Sequence, residues 1–252
     1  MSVYSIHFSP TGGTEKVMAG LCSAFDAVTT IDLTRRDVDF SQYHFTAQDV
    51  CLIGMPVYGG RFPAVAIERF SAMQGANTPC ALVAVYGNRA IDDALIDLGD
   101  VAQAHGFVPV AGVEAVAAHS LFPQVAADRP DADDLAQLAE MSAKIKAAAL
   151  SPVAVEMPGN RPYKVRKPNG VFPQLANDCT HCGHCASVCP VGAIDSADPT
   201  KLDQSLCIGC MRCVTQCPTG TRVRPADTLA PVWARLETAF GRHKPNVLYL
   251  AD

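Results

Sequence analysis

The run Cys179-x-x-Cys182-x-x-Cys185-x-x-x-Cys189-Pro190 is followed by Cys207-x-x-Cys210-x-x-Cys213-x-x-x-Cys217-Pro218. Eight thiols at a spacing used twice, each run closed by proline, form the ligand pattern of cubane iron–sulfur clusters. A structural zinc site needs only two ligand pairs and often mixes His with Cys. A disulfide framework would not repeat this spacing, and it belongs to small secreted chains. The stretch therefore predicts two [4Fe–4S] clusters and one-electron chemistry.

Working outward, eight of the eleven cysteines fall in these runs, while Cys22, Cys51 and Cys80 are scattered through the first 150 residues. Those three read as small buried apolar side chains. The start, Ser2-Val3-Tyr4-Ser5-Ile6-His7-Phe8, shows neither a basic n-region nor an apolar h-region, which predicts a cytoplasmic protein. No apolar run approaches the length of a membrane span, so no membrane role is expected. Residues 1–150 carry 9 Lys/Arg and 17 Asp/Glu, a balance of −8, and residues 151–252 carry 11 and 8, a balance of +3. Two oxidised clusters with their thiolates would add about −2 each and bring the second half to about −1. Its basic residues then read as local compensation. No basic stripe with interleaved aromatics is present, which argues against nucleic acid.

Strand-like runs lie at 3–9, Val28–Leu33, Val50–Met55, Ala81–Tyr86 and Phe107–Val116. Helical patterns fall at 14–26, 63–73, 89–105 and 131–149. That alternation predicts an α/β fold, a parallel sheet covered on both faces. Ligands of such sheets bind at the carboxyl ends of the strands. The junction Ser9-Pro10-Thr11-Gly12-Gly13-Thr14 offers backbone N–H groups and hydroxyls to a phosphate at a helix N-terminus. It matches neither G-x-x-x-x-G-K-[ST] nor G-x-G-x-x-G, and an ordinary capped turn would use the same residues. His7 and His119 read as packing residues. The acidic Asp131-Ala132-Asp133-Asp134 suits the first turn of the last helix in this half.

Three loops give the first 150 residues a specific resemblance. Thr11-Gly12-Gly13-Thr14 is similar to the T-G-x-T phosphate loop of flavodoxins. Met55-Pro56-Val57-Tyr58-Gly59-Gly60-Arg61-Phe62-Pro63 resembles the loop after their third strand, and Val85-Tyr86-Gly87-Asn88-Arg89 the third flavin loop. The resemblance implies a doubly wound five-stranded sheet of order 2-1-3-4-5 that binds FMN. Ser9, Thr11, Gly12, Gly13 and Thr14 would hold the phosphate. Pro56 and Val57 lead to Tyr58, which would stack on the ring, and Gly59 and Gly60 would face flavin N5. Tyr86, Gly87 and Asn88 would border its other edge. Tyr58 as a loop cover and Arg61 as a surface charge are the plainer alternatives.

Residues 151–177 hold five prolines and two glycines, which exclude a long helix or a central strand and predict a linker. Val165, Val171, Phe172 and Leu175 suggest that it packs. Arg161, Lys164, Arg166 and Lys167 make it basic, as a screen for the clusters or a seat for an acidic partner. Ala226 to Phe240 has helical spacing in Leu229, Val232, Leu236 and Phe240, and its apolar face needs a surface on either unit.

The whole chain thus resembles the fusion family in which a flavodoxin-like domain precedes a small α+β two-cluster ferredoxin domain. The boundaries implied are 1–150, a linker at 151–177, the ferredoxin unit at 178–220, and a helix and tail at 221–252. By position, one cluster takes Cys179, Cys182, Cys185 and Cys217, and the other takes Cys207, Cys210, Cys213 and Cys189, each run lending its fourth cysteine to the other. Val188, Val191, Ile194, Leu206, Ile208 and Val214 would exclude water. The expected role is electron transfer between the clusters and FMN, with redox proteins of unspecified identity as partners. A reductase of a small quinone, nitro or enone acceptor, with its pocket near Tyr58, Arg61 and Asn88, is the alternative, and a non-catalytic redox sensor is a third. Donor, acceptor and oligomeric state are not encoded in any motif.

Overall fold

The computed structural model describes residues 1–166 and 170–251; Lys167, Pro168 and Asn169 of the expected linker, and Asp252, lie outside the described residues. Strands β1 (Val3–His7), β2 (Thr29–Asp32), β3 (Val50–Pro56), β4 (Thr78–Tyr86) and β5 (Phe107–Val116) alternate with helices. These are α1 (Gly13–Leu21), α2 (Ala64–Ser71), α3 (Ala94–Ala104) and α4 (Ala132–Leu150). The five strands are parallel and ordered β2-β1-β3-β4-β5, the flavodoxin-like order.

Every residue of β4 is buried, as a central parallel strand covered on both faces requires. Neighbours in sequence feed opposite faces. Ile53 and Leu82 join Phe70, Leu95 and Leu98 under α2 and α3, while Leu52 and Val83 join Val17, Leu21, Leu138 and Ile145 under α1 and α4. Cys51 and Cys80 lie inside this core, and Cys22 is partly buried against it.

Asp131 and Asp134 form a reciprocal capping box at the start of α4. Asp134 also takes the Arg129 guanidinium, with Nε at 2.7 Å, and the Asn246 amide at 2.8 Å. The acidic turn is thus a buried network, more than a response to the helix dipole.

Past α4 come β6 (Gln174–Leu175), α5 (His184–Ser187), α6 (Arg212–Thr215), β7 (Arg222–Val223), α7 (Ala226–Phe240) and β8 (Val247–Tyr249). β6 and β7 pair antiparallel beside the cysteine runs. α7 lays Leu229, Val232, Trp233, Leu236 and Phe240 over Leu121, Phe122 and Val125 of the sheet unit. The chain then adds β8 antiparallel to β5, so the sheet has a sixth strand beyond the expected five. Three residues are too short a run to announce a strand from sequence; β8 is made by the free edge of β5.

The linker packs differently from expectation. Val155 donates its N–H to the Pro109 carbonyl at 2.8 Å, and Met157 enters the core, but Val165 is 81% exposed. Its described basic residues pair with aspartates at and beside α3. Arg161 pairs with Asp100 at 2.5 Å, Lys164 with Asp92 at 2.6 Å, and Arg166 with Asp97 at 3.0 Å. Asp93, the N-cap of α3, accepts from Asn160 N–H at 2.9 Å and Lys164 N–H at 2.7 Å. Asp92 and Asp93, just before α3, and Asp97 and Asp100 within it thus take up the linker's described basic side chains and its Asn160 and Lys164 N–H groups.

Candidate functional site

The two cysteine runs repeat at an offset of 28 (179 to 207), and their backbones repeat with them. His181 and Gly183 have φ of 54° and 73°, and their counterparts Gly209 and Met211 have φ of 65° and 64°. Each run needs two left-handed residues, and each supplies one of the two with glycine, in opposite slots. α5 and α6 start directly after these turns. The turns also aim N–H groups at sulfur: His181 N–H reaches Cys179 Sγ at 3.4 Å and Ala193 N–H reaches Cys189 Sγ at 3.3 Å. Backbone donors from Gly209, Arg212 and Thr221 serve Cys207, Cys210 and Cys217 at the equivalent places.

Cys189, Cys207, Cys210 and Cys213 line one cavity of ≈ 20 Å³. Cys189 comes from the first run and the other three from the second. Burial pushes the Cys210 and Cys213 thiols up to about 12, and neighbouring cysteines of the set add to it. Burial also raises Cys217, but N–H groups of Arg222, Thr219 and Thr221 and the Thr219 hydroxyl outweigh it and bring the thiol to about 7. The other set is more open: Cys182 is exposed, Cys179 and Cys217 are half-buried, and Cys185 is buried. Ile194, Leu202 and Val214 shield the buried thiols and Ile208 reaches into the sheet core, whereas Leu206 is 49% exposed. Among the described residues no three His, Cys, Asp or Glu side chains close on a single metal ion. A four-sulfur set spread around a cavity fits a cluster.

In the first flavin-type loop, Ser9 Oγ accepts the Glu15 N–H at 2.9 Å in the first turn of α1, and Ser9 N–H donates to Thr34 Oγ1 at 2.9 Å. Gly12 is left-handed (φ 85°), Thr14 is buried, and Gly13 approaches Ala117. A cleft of ≈ 540 Å³ opens beside Ser9, Thr11 and Gly12. In the second loop, Val57 N–H bonds Val85 O at 2.8 Å, and Tyr58 and Arg61 close a turn over Gly59 and Gly60, both with positive φ. Pro56 ends β3 just before it. Burial, and then the charge of Cys210, hold the Tyr58 phenol well above its ordinary range.

In the third loop Tyr86 is buried and the His119 ring covers Gly87. Asn88 donates its amide to the Phe240 and Arg242 carbonyls, each at 2.8 Å. Its Oδ1 stays buried without a protein partner, an acceptor waiting for a donor. Left-handed turns, a helix N-terminus and an orphan acceptor at the strand ends fit a phosphorylated flavin.

Arg61 is not a surface charge. It binds Asp97 at 2.8 Å, the Lys164 carbonyl at 2.7 Å and the Tyr163 ring face at 4.7 Å. Of the three residues expected to border a small-acceptor pocket, Arg61 is therefore held by other groups, while Asn88 keeps Oδ1 without a protein partner. His7 bonds Ser5 Oγ at 3.1 Å and also lines the ≈ 540 Å³ cleft. His119 packs on Phe122 and Phe240 and accepts the Leu121 N–H at 3.1 Å. Sequence reasoning missed Arg36, Arg69 and Arg212, which join the sheet to the cysteine-rich unit. Arg212 had a signal: it occupies, between two cysteines of the second run, the position held by His184 in the first.

The duplicated, cavity-lining cysteines decide the assignment of this segment. Residues 178–221 match the 4Fe-4S dicluster domain family. Within it the chain is similar to "Putative oxidoreductase UacF" of Escherichia coli (strain K12), 44% identical over 62 residues, covering 23% of this chain and 10% of that protein. It is also similar to "Hydrogenase-4 component A" of the same organism, 49% identical over 45 residues, covering 17% and 22%. The chain spans between 7% and 30% of the length of the curated relatives it matches, so the likeness belongs to the dicluster domain. Solved structures similar to the chain include "Structure of a flavodoxin from the domain Archaea", with TM-score 0.43 and 14% identity over 60% of this chain and 99% of that one. No helix among the described residues is long and apolar enough to cross a membrane.

Proposed function

We propose that the chain is an electron-transfer flavo-iron–sulfur protein, passing electrons between two [4Fe–4S] clusters and FMN. One observation carries this: Arg212 lines both the cavity of Cys189, Cys207, Cys210 and Cys213 and the cleft beside Ser9, Thr11 and Gly12, the residues expected at the flavin phosphate. When bound, the clusters supply one-electron chemistry and the flavin one- or two-electron chemistry. The chain's residues set the conditions for both. Cys189, Cys207, Cys210 and Cys213 hold one cluster, and Cys179, Cys182, Cys185 and Cys217 the other. N–H groups aimed at sulfur stabilise the thiolates, which must lose their protons to the metal. The Ser9 to Thr14 loop binds the phosphate. Tyr58, kept as a neutral phenol, together with Gly59 and Gly60 and with Tyr86, Gly87 and Asn88, frames the ring.

The two sets divide the labour by exposure. The more open Cys179–Cys182 side meets a redox protein partner, and the buried set faces the flavin. Anaerobic reconstitution should give eight irons and one FMN per chain, with flavin and cluster absorbance responding together in a reductive titration. No bound flavin, or four irons, sinks the reading. Cys189→Ser should damage the cluster of the second run, although it belongs to the first; loss of the other cluster instead breaks the assignment.

A further inference from the structure

Three arginines cross between the sheet and the dicluster domain, and each does so one residue from a cysteine of the ligand set. Arg36 donates to the Ala186 carbonyl at 3.4 Å, next to Cys185. Arg69 donates to the Pro190 carbonyl at 2.6 Å, next to Cys189, while gripping the Leu33 carbonyl at 2.7 Å. Arg212, next to Cys213, donates from the dicluster side to the Pro10 carbonyl at 3.0 Å.

Arg212 alone among these lines both the four-cysteine cavity and the cleft beside the phosphate loop. Its Nε is buried without a protein partner. The other charged groups facing that cleft are Glu15 and Asp32, and burial lowers the pKa of His7. Among the described residues lining the cleft, Arg212 is the only permanent cation. A phosphate dianion placed beside two carboxylates needs positive charge within a few ångströms, where a guanidinium also offers directed donors. Here that charge is borrowed from the other unit, at a position fixed by Cys210 and Cys213 on either side.

We infer that Arg212 is a positioning residue that couples the metal chamber to the phosphate loop. Iron–sulfur in the chamber holds Arg212 in place and tightens flavin phosphate binding; by linkage, bound flavin phosphate tightens the dicluster docking equally. The inference rests on the flavin reading above.

The test uses the full chain, iron–sulfur-loaded and iron-free, titrated anaerobically with FMN and, in parallel, with riboflavin, which lacks the phosphate. Loaded protein should bind FMN about tenfold tighter than iron-free protein, a typical coupling, while riboflavin shows no such gain. Arg212→Gln should abolish the iron-dependent gain, and Arg212→Lys should restore part of it, which a merely structural role would not do. Equal FMN affinity with and without iron, or an undiminished gain in Arg212→Gln, overturns the coupling and leaves the flavin reading standing. If FMN binds in neither state, the flavin reading fails by itself, and X-ray scattering decides the coupling. A radius of gyration that rises on iron removal, and is already raised in loaded Arg212→Gln, supports it; an unchanged one overturns it.

Discussion

The sheet and the dicluster domain are held together by different means. The sheet buries two broad apolar clusters, one on each face, with strands such as β4 buried from end to end. The dicluster domain buries Cys185, Ala186, Cys189, Ala193, Ile194, Cys210, Met211 and Cys213, with Leu202 and Val214 at the margin. Four of those eight are thiols. A unit so small cannot offset its chain entropy by apolar burial alone, so metal and the neighbouring sheet must supply the remainder. The chain therefore combines a unit that carries its stability in its sequence with one that acquires it on assembly.

The largest test of that contrast is iron removal. Structural metal sites contribute on the order of 10 kcal/mol, so chelation should unfold residues 178–221 and leave the sheet standing. Hydrogen exchange would show amides of α5 and α6 losing protection while those of β3 and β4 keep it; simultaneous loss in both breaks the contrast. Next in size is Asp134→Asn, which strands the buried Arg129 guanidinium and should cost about 3–5 kcal/mol in urea unfolding. Iron retention per folded molecule should not change with it.

Smaller effects follow from protonation. His119 is buried near Arg224 and Arg89, and its pKa is lowered to about 4. The unfolded chain therefore binds more protons between about 4 and 6.5, and stability falls as pH drops through that window. The His119 share of the change from pH 7 to pH 5 is about 2 kcal/mol, and His119→Gln should remove that share, leaving the smaller slope of the same sign from buried His7. Asp134, at about 2, has the same sign lower down: burial opposes its ionisation, and the bonds from Arg129, Asp131 and Asn246 prevail. Its stabilisation is full above about pH 4 and fades as pH falls toward 2.

The smallest pair of tests sharpens the internal repeat. Gly183→Ala puts a Cβ into a left-handed slot and should cost the loaded protein about 1 kcal/mol, whereas His181→Gly, at an exposed slot of the same hand, should be neutral or gain a few tenths.

The sheet was legible because Leu52, Ile53, Leu82 and Val83 lie in apolar runs that only a strand buried on both faces accommodates. The cysteine runs were legible because their spacing repeats at an offset of 28 and is a family's pattern. What escaped depends on residues far apart in the chain. Nothing near Arg61 announces Asp97, and nothing in Arg161 to Arg166 announces the aspartates of α3. Leu206 and Val165 looked like core by type but lie at the surface, since residue type does not say which way a loop turns. Asn88 sat in the expected loop, but the sequence could not show that the end of α7 would take its amide.

β8 changes what kind of attachment the dicluster domain has. Because the chain leaves the sheet after α4 and rejoins it beside β5, the domain is spliced into the sheet unit as an insert, anchored at two places rather than hung from one. Double anchorage keeps the effective concentration of the two units high even when their contacts open, so separation is brief and re-docking is intramolecular. Replacing this domain with another would mean matching both exit and return points.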